Sequence, residues 1–85
     1  MDEWMTLNDG TQMAGHAVEF NGQLFLYVRG EMGLADVFQA LIDPERTKKI
    51  TAERFGVKTI YRGYKKLTAV RDEGGGLITA VLNKA

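Results

Sequence analysis

The chain has 85 residues, of which 45% are hydrophobic and 26% are charged, the composition of an ordinary globular protein. At this length we expect one domain, residues 1–85, with a small core. The absence of cysteine excludes a disulfide framework, a thiolate nucleophile and a zinc–sulfur site. No apolar run approaches the ~20 residues that span a bilayer, and the acidic N-terminus does not read as a signal peptide, so we expect a cytoplasmic protein with no membrane partner.

Opposite charges divide the chain into two halves. Residues 1–45 hold eight acidic residues and one basic residue, and residues 46–85 hold ten basic residues and three acidic ones. The halves therefore carry net charges of −7 and +7. Such halves attract each other within one fold. They would also suit a dipolar subunit that associates head to tail, or a basic face that binds an acidic partner.

The first third of the chain predicts three strands joined by tight turns. Asp9-Gly10 and Asn21-Gly22 are typical of two-residue hairpin turns, because these residues tolerate positive φ. They separate runs of strand-forming residues at 3–7, 11–20 and 23–29. The third run is apolar on both faces, with Leu24, Leu26 and Val28 on one side and Phe25 and Tyr27 on the other.

A short amphipathic helix follows. Leu34, Val37, Phe38, Leu41 and Ile42 fall on one helical face and predict a helix over 34–42 that packs its apolar stripe on the sheet. We expect Gly33 to be the N-cap and Asp36 to complement the helix dipole. Asp43-Pro44 ends the helix, since the residue before proline avoids the α region, and a further turn can follow at 44–47.

The remainder of the chain predicts three or four further strands. Alternation over 49–55 points Ile50 and Ala52 inward, and Gly56 forms the next turn. Gly63 is expected to divide residues 57–71 into two strands at a bulge or bend. Residues 72–76 form a loose hairpin loop, and 77–82 form a last strand that is apolar on both faces and therefore central in the sheet.

These elements predict an α+β fold: an antiparallel meander of about six to seven strands with one short amphipathic helix between strands 3 and 4. One short helix can cover only one face of such a sheet. The other face must be covered by the sheet curling into a barrel or sandwich, or by another subunit. We therefore expect a homo-oligomer or an assembly subunit.

The residues needed for catalysis are scarce. The chain has no serine and no cysteine, and His16 is its one histidine, so the familiar nucleophile–histidine arrangements are impossible. The pairs Asp2-Glu3 and Asp72-Glu73 point to opposite faces of an extended chain, which does not suit acid–base chemistry. Gly74-Gly75-Gly76 lacks the continuation of a phosphate-binding loop. We expect no enzyme activity, no metal and no cofactor.

Basic and aromatic residues alternate between positions 58 and 66. This pattern is typical of surfaces that bind single-stranded nucleic acid, where rings stack on bases and cations contact phosphates. It is equally typical of a sheet edge protected by lysines, with tyrosines packed on the core rim. A protein partner is a third interpretation. The candidate interaction surface comprises Lys58, Tyr61, Arg62, Tyr64, Lys65 and Lys66, together with Phe25 and Tyr27 of the two-faced strand.

Two stretches resemble small proteins encoded among the tail and structural genes of bacteriophages and prophages. One is Leu7-Asn8-Asp9-Gly10-Thr11, and the other is Tyr61-Arg62-Gly63-Tyr64-Lys65-Lys66-Leu67, continuing to Gly76-Leu77-Ile78-Thr79-Ala80-Val81-Leu82. The resemblance implies a structural or assembly role without enzyme activity, in association with a virion. Our leading hypothesis is therefore an assembly or protein-interaction module that binds itself or another protein. The alternative is a nucleic-acid-binding domain using residues 58–66.

Overall fold

The computed structural model describes residues 3–43 and 47–84, and these contain six strands and one helix. The strands are β1 (Glu3–Leu7), β2 (Gln12–Phe20), β3 (Gln23–Arg29), β4 (Lys48–Arg54), β5 (Val57–Gly74) and β6 (Leu77–Lys84). The helix α1 (Leu34–Leu41) lies between β3 and β4, as expected. With eight helical residues in the described part of the chain, the fold is mostly β rather than the α+β class that the sequence predicted.

The strands form two three-stranded meanders, β1–β2–β3 and β4–β5–β6, in which every ladder is antiparallel. β3 pairs with β6, so the order along the sheet is β1-β2-β3-β6-β5-β4. β4 in turn pairs with β1, with Leu7 opposite Ile50, and the sheet closes on itself. Each of the six strands therefore pairs with two others in the described part of the chain.

The core lies inside the closed sheet and follows the alternation of its strands. Leu24, Leu26 and Val28 of β3 point inward, while the residues between them point outward. Val37 and Leu41 of α1 join the same cluster from the helix. The remaining buried apolar members come from the other strands: Met5, Leu7, Met13, Ile50, Tyr64, Ile78, Ala80 and Leu82.

The helix begins and ends close to the predicted positions. The Gly33 amide donates a hydrogen bond to the Asp36 carboxylate at 3.1 Å, which confirms the predicted N-terminus. At the other end, the Ile42 amide donates to the Phe38 carbonyl at 2.9 Å. The further turn expected at 44–47 falls on residues 44–46, which lie outside the described residues.

β5 is one continuous strand of 18 residues, so the predicted division into two strands at Gly63 is wrong. The predicted bulge is present, because Tyr61 lies opposite Ile50 and Tyr64 opposite Lys48, which leaves one extra residue in β5. Gly63 adopts a positive φ of 85°, and the strand continues through this residue. Register irregularities occur between Tyr64 and Lys66 and at two later points against β6, as bulges allow. The strand also continues through Asp72 to Gly74, which shortens the predicted loop at 72–76.

The antiparallel order places the connections alternately at two ends of the closed sheet. The β2–β3 turn at 21–22 and the β4–β5 turn at 55–56 lie at one end, named here the hairpin end. The β1–β2 turn, the connection that contains α1 and the β5–β6 turn lie at the other, named the helix end.

Candidate interaction surfaces

Apolar side chains form a line across the outside of the sheet. The ladders align Val18 with Phe25, Phe25 with Val81, and Val81 with Ala69. These four residues, the apolar row, cross β2, β3, β6 and β5 on the face opposite the core. The prediction that β3 and β6 are apolar on both faces is consistent with this arrangement, because their inner residues fill the core and their outer residues supply the row.

A groove of about 370 Å³ lies over this part of the outer face. Phe25 and Tyr27 line it from β3, with Thr79 and Val81 from β6 and Arg71 from β5. The Tyr27 ring stacks on His16, with ring centroids 5.0 Å apart and planes inclined by 23°. The groove thus has an apolar floor and a polar margin, as surfaces that bind proteins often do.

A second cavity, of about 420 Å³, opens at the hairpin end and is named here the hairpin cavity. It lies between β2 and the β4–β5 hairpin. Phe55 and Val57 at its margin are 70% and 67% exposed. Phe55 also has a φ of +52° in a two-residue turn, where a bulky residue is conformationally strained. Its other lining residues are His16, Ala17, Val18, Ala52, Arg54, Thr59 and Tyr61.

Charged groups meet beside the hairpin cavity. One Glu3 carboxylate oxygen lies 3.1 Å from Nε of Arg54 and 3.5 Å from Nδ1 of His16. The Arg54 side chain is largely exposed, so the ion pair adds little to stability. The Glu3 carboxylate instead holds the Arg54 guanidinium and the His16 imidazole beside the apolar opening of the hairpin cavity.

The outward side of α1 carries a second apolar feature, at the helix end. Leu34, Phe38 and Ile42 follow one another at four-residue spacing and are 40%, 40% and 37% exposed. We call these three residues the helix stripe. The predicted stripe is thus divided, because Val37 and Leu41 pack into the core and the helix stripe faces outward.

The basic and aromatic residues at 58–66 do not form one mixed surface. Lys58 and Arg62 are exposed on β5, whereas Tyr61 between them packs against the core and lines the hairpin cavity. Successive residues of a strand point to opposite faces, which separates the ring from the cations. Lys66 is exposed and Lys65 is half-buried.

Tyr64 is fully buried and is therefore not part of an exposed surface, contrary to its place in the sequence-based candidate set. Its hydroxyl donates a hydrogen bond to the Glu19 carboxylate. Burial, and next the hydrogen bond to Glu19, raise the pKa of Tyr64 to about 12. The Lys84 ammonium lies 5.2 Å from the centre of the Tyr64 ring. Tyr64 therefore belongs to the core of the fold and not to an exposed interaction surface.

Sequence reasoning missed Lys48, which is 1% exposed. Its ammonium donates hydrogen bonds to the backbone carbonyls of Asp43 at 2.5 Å and Lys65 at 2.8 Å. These bonds join the segment after α1 to β5, and a cation near the C-terminus of a helix is favourable. Lys48 lies on the same face of β4 as Ile50 and Ala52, so the alternation of the strand could have predicted that its side chain points inward.

The chain matches no protein-family model, no curated protein and no solved structure with which it was compared. Among the described residues, no helix is both long and apolar enough to cross a membrane. No group of three or more histidine, aspartate or glutamate side chains in residues 3–43 and 47–84 is arranged to hold a metal ion.

Proposed function

We propose that this chain is a non-enzymatic assembly module that binds other protein subunits through the apolar row on the outside of its closed sheet. The observation that carries this proposal is the alignment of Val18, Phe25, Val81 and Ala69 across four strands whose inner residues already complete a core. A row of this kind does not serve the fold of a single copy. Apolar surface with a polar margin marks sites of protein interaction.

Two further features support the proposal. The pairing of β1 with β4 supports a small closed barrel as the finer description of the fold, and such a barrel leaves its outer face available to a partner. The resemblance of residues 7–11 and 61–82 to phage and prophage structural proteins supports a place in an assembly of that kind.

The experiment is sedimentation of the protein over a wide range of concentration. We expect the mean mass to rise with concentration, and Val81→Lys to reduce that rise, because a charge is placed at the centre of the row. Gln12→Lys is the matched control, since Gln12 is exposed on β2 away from the row. A protein that stays monomeric at every concentration, in the presence of an unaltered fold, would contradict the proposal.

Binding of single-stranded nucleic acid is the second candidate. It is supported by the exposed cations Lys58, Arg62 and Lys66 along β5. The positions of Tyr61 and Tyr64 do not favour it, because stacking on bases requires exposed rings. Contacts of this surface with nucleic acid would therefore be confined to the phosphates.

A further inference from the structure

We propose that the module binds a second copy of itself head to tail, with the helix stripe of one copy seated in the hairpin cavity of the next. This inference rests on the proposed assembly role and names the partner and the contact. It uses surfaces at the two ends of the closed sheet, distinct from the apolar row except at Val18, which also lines the cavity.

The hairpin cavity has the properties of a site built to receive apolar side chains. Phe55 and Val57 expose most of their surface at its margin, and Val18 adds a third apolar wall. Phe55 holds a positive φ in a position where asparagine or glycine would be unstrained. Strain kept at an exposed aromatic residue favours a role in binding over a role in folding.

The helix stripe has the matching form. Leu34, Phe38 and the C-cap residue Ile42 follow one another along one side of the helix over a distance of about 12 Å. The Asp36 cap holds the start of the helix, and Val37 and Leu41 anchor its inner side. A rigid helix that presents residues at four-residue spacing to an apolar groove is a recurrent mode of recognition.

The charges around the two surfaces are complementary. Residues 30–43, which contain α1, hold the acidic residues Glu31, Asp36 and Asp43 and no basic residue. Residues 53–62, which form the β4–β5 hairpin, hold three basic residues against Glu53, and Glu3 pairs with Arg54, so one net positive charge remains there. Docking of the helix in the hairpin cavity therefore brings an acidic segment to a basic one, which favours this pairing over helix with helix or hairpin with hairpin.

The connection that contains α1 and the β4–β5 turn lie at opposite ends of the strands, so we expect the contact between copies rather than within one. A bound pair therefore leaves one helix stripe and one hairpin cavity available. A contact of this heterologous type continues until a ring closes or a filament forms. In such an arrangement, the acidic segment that contains α1 in one copy lies beside the basic β4–β5 hairpin of the next, which agrees with the opposite charges of the two halves of the sequence.

Cross-linking tests the geometry directly, because the chain has no cysteine of its own. Phe38→Cys and Val57→Cys are prepared separately, one of them with a tag that distinguishes its mass, and are then mixed with a short thiol cross-linker. We expect mixed Phe38→Cys to Val57→Cys products to exceed either like pair about tenfold or more, as a specific contact requires. Gln12→Cys mixed with Phe38→Cys is the control and should give background yield. Equal yields in all pairs would overturn the inference.

Complementation provides a second test. Phe38→Lys removes the helix stripe and Phe55→Asn removes the exposed ring of the hairpin cavity, and each is expected to weaken self-association about tenfold or more. Mixing the two should restore association as one-to-one dimers, since each retains the surface that the other lacks. Gln39→Lys, which changes an exposed residue of the same helix, should associate normally. Because asparagine suits the turn, Phe55→Asn should unfold at the same or higher urea concentration, which separates lost binding from lost folding.

The outcomes distinguish this inference from the proposed function. If Val81→Lys abolishes association while Phe38→Lys and Phe55→Asn do not, the apolar row is the interface and the head-to-tail contact is overturned. If Phe38→Cys alone cross-links to itself as well as it does to Val57→Cys, or if no mixture restores dimers, the contact is not heterologous. If the unmodified protein is monomeric throughout, both proposals fail.

Discussion

The Tyr64 hydroxyl donates a hydrogen bond to the Glu19 carboxylate, and this bond joins two strands that are not neighbours in the closed sheet. Tyr64 belongs to β5 and Glu19 to β2, so the contact crosses the interior. Tyr64 is fully buried, whereas Glu19 reaches solvent. The pair therefore fastens one three-stranded meander to the other.

Tyr64→Phe keeps the ring and removes this hydrogen bond. We expect the free energy of unfolding at neutral pH to fall by about 1 kcal/mol, since Glu19 can be solvated once the phenol is lost. Urea denaturation measures the change. Tyr61→Phe is the control, and a loss from Tyr64→Phe no larger than from the control would show that the cross-sheet bond contributes nothing.

The raised pKa of Tyr64 predicts a specific alkaline instability. The folded-state pKa of about 12 lies above the unmodified value of 10.0, so the folded protein holds this proton more tightly than the unfolded chain. The stabilisation is present below pH 10 and is lost as pH rises from 10 to 12, by about 2–3 kcal/mol in total. Urea denaturation at a series of pH values should show this fall in the free energy of unfolding. In Tyr64→Phe, the fall between pH 10 and 12 should be smaller by this amount. An identical pH profile for both proteins would contradict the assignment.

Gly15 is predicted to be the least replaceable of the glycines in the described part of the chain. It has a φ of +140°, and a Cβ added there would lie 1.9 Å from the Tyr27 carbonyl oxygen. Gly15→Ala should therefore force β2 and β3 apart and lower the free energy of unfolding by about 3 kcal/mol or more. Gly10→Ala is the matched control, because Gly10 also has a positive φ but open space around it. A similar small loss for both would mean that the close approach has no energetic effect.

Lys48→Met tests the bonds between Lys48 and the backbone. The substitution retains an unbranched side chain but leaves the Asp43 and Lys65 carbonyls without this donor, so we expect a loss of about 1–3 kcal/mol. Hydrogen exchange should also accelerate at the last turn of α1, such as the Ile42 amide. The neighbouring Lys49→Met should have little effect on either measurement, because Lys49 is not fully buried. Unchanged exchange in Lys48→Met would show that the lysine does not hold the helix in place.

Nucleic-acid binding can be tested by the anisotropy of a labelled single-stranded oligonucleotide. Any binding should decline steeply with salt, because the exposed groups are cations that contact phosphates. Arg62→Glu should weaken binding, while Tyr61→Leu should leave it unchanged, since the Tyr61 ring faces the core. Strong binding that depends on the Tyr61 ring would contradict the separation of rings from cations and would favour the nucleic-acid hypothesis.

The sequence predicted the local elements well because their determinants are local. The Asn21-Gly22 turn, the Asp36 cap and the alternation through β3 each depend on residues close together in the chain. The bulge predicted at Gly63 is present, but the strand was wrongly expected to end there, because a bulge lets a strand bend while its ladder continues. Phe55 gave no turn signal, since bulky residues are rarely found at positive φ.

The candidate sites depend instead on registers between distant strands. The apolar row requires Val18, Phe25, Val81 and Ala69 to align, and the closing ladder requires Leu7 to lie opposite Ile50. The backbone hydrogen bonds that fix these registers are chemically alike at every residue, so the side chains of one strand do not reveal which distant residues lie opposite. Composition and spacing alone therefore determined the turns, the helix and the two-faced strands. The pairing of distant strands decided that Tyr64 is buried, and it decided which residues surround the hairpin cavity.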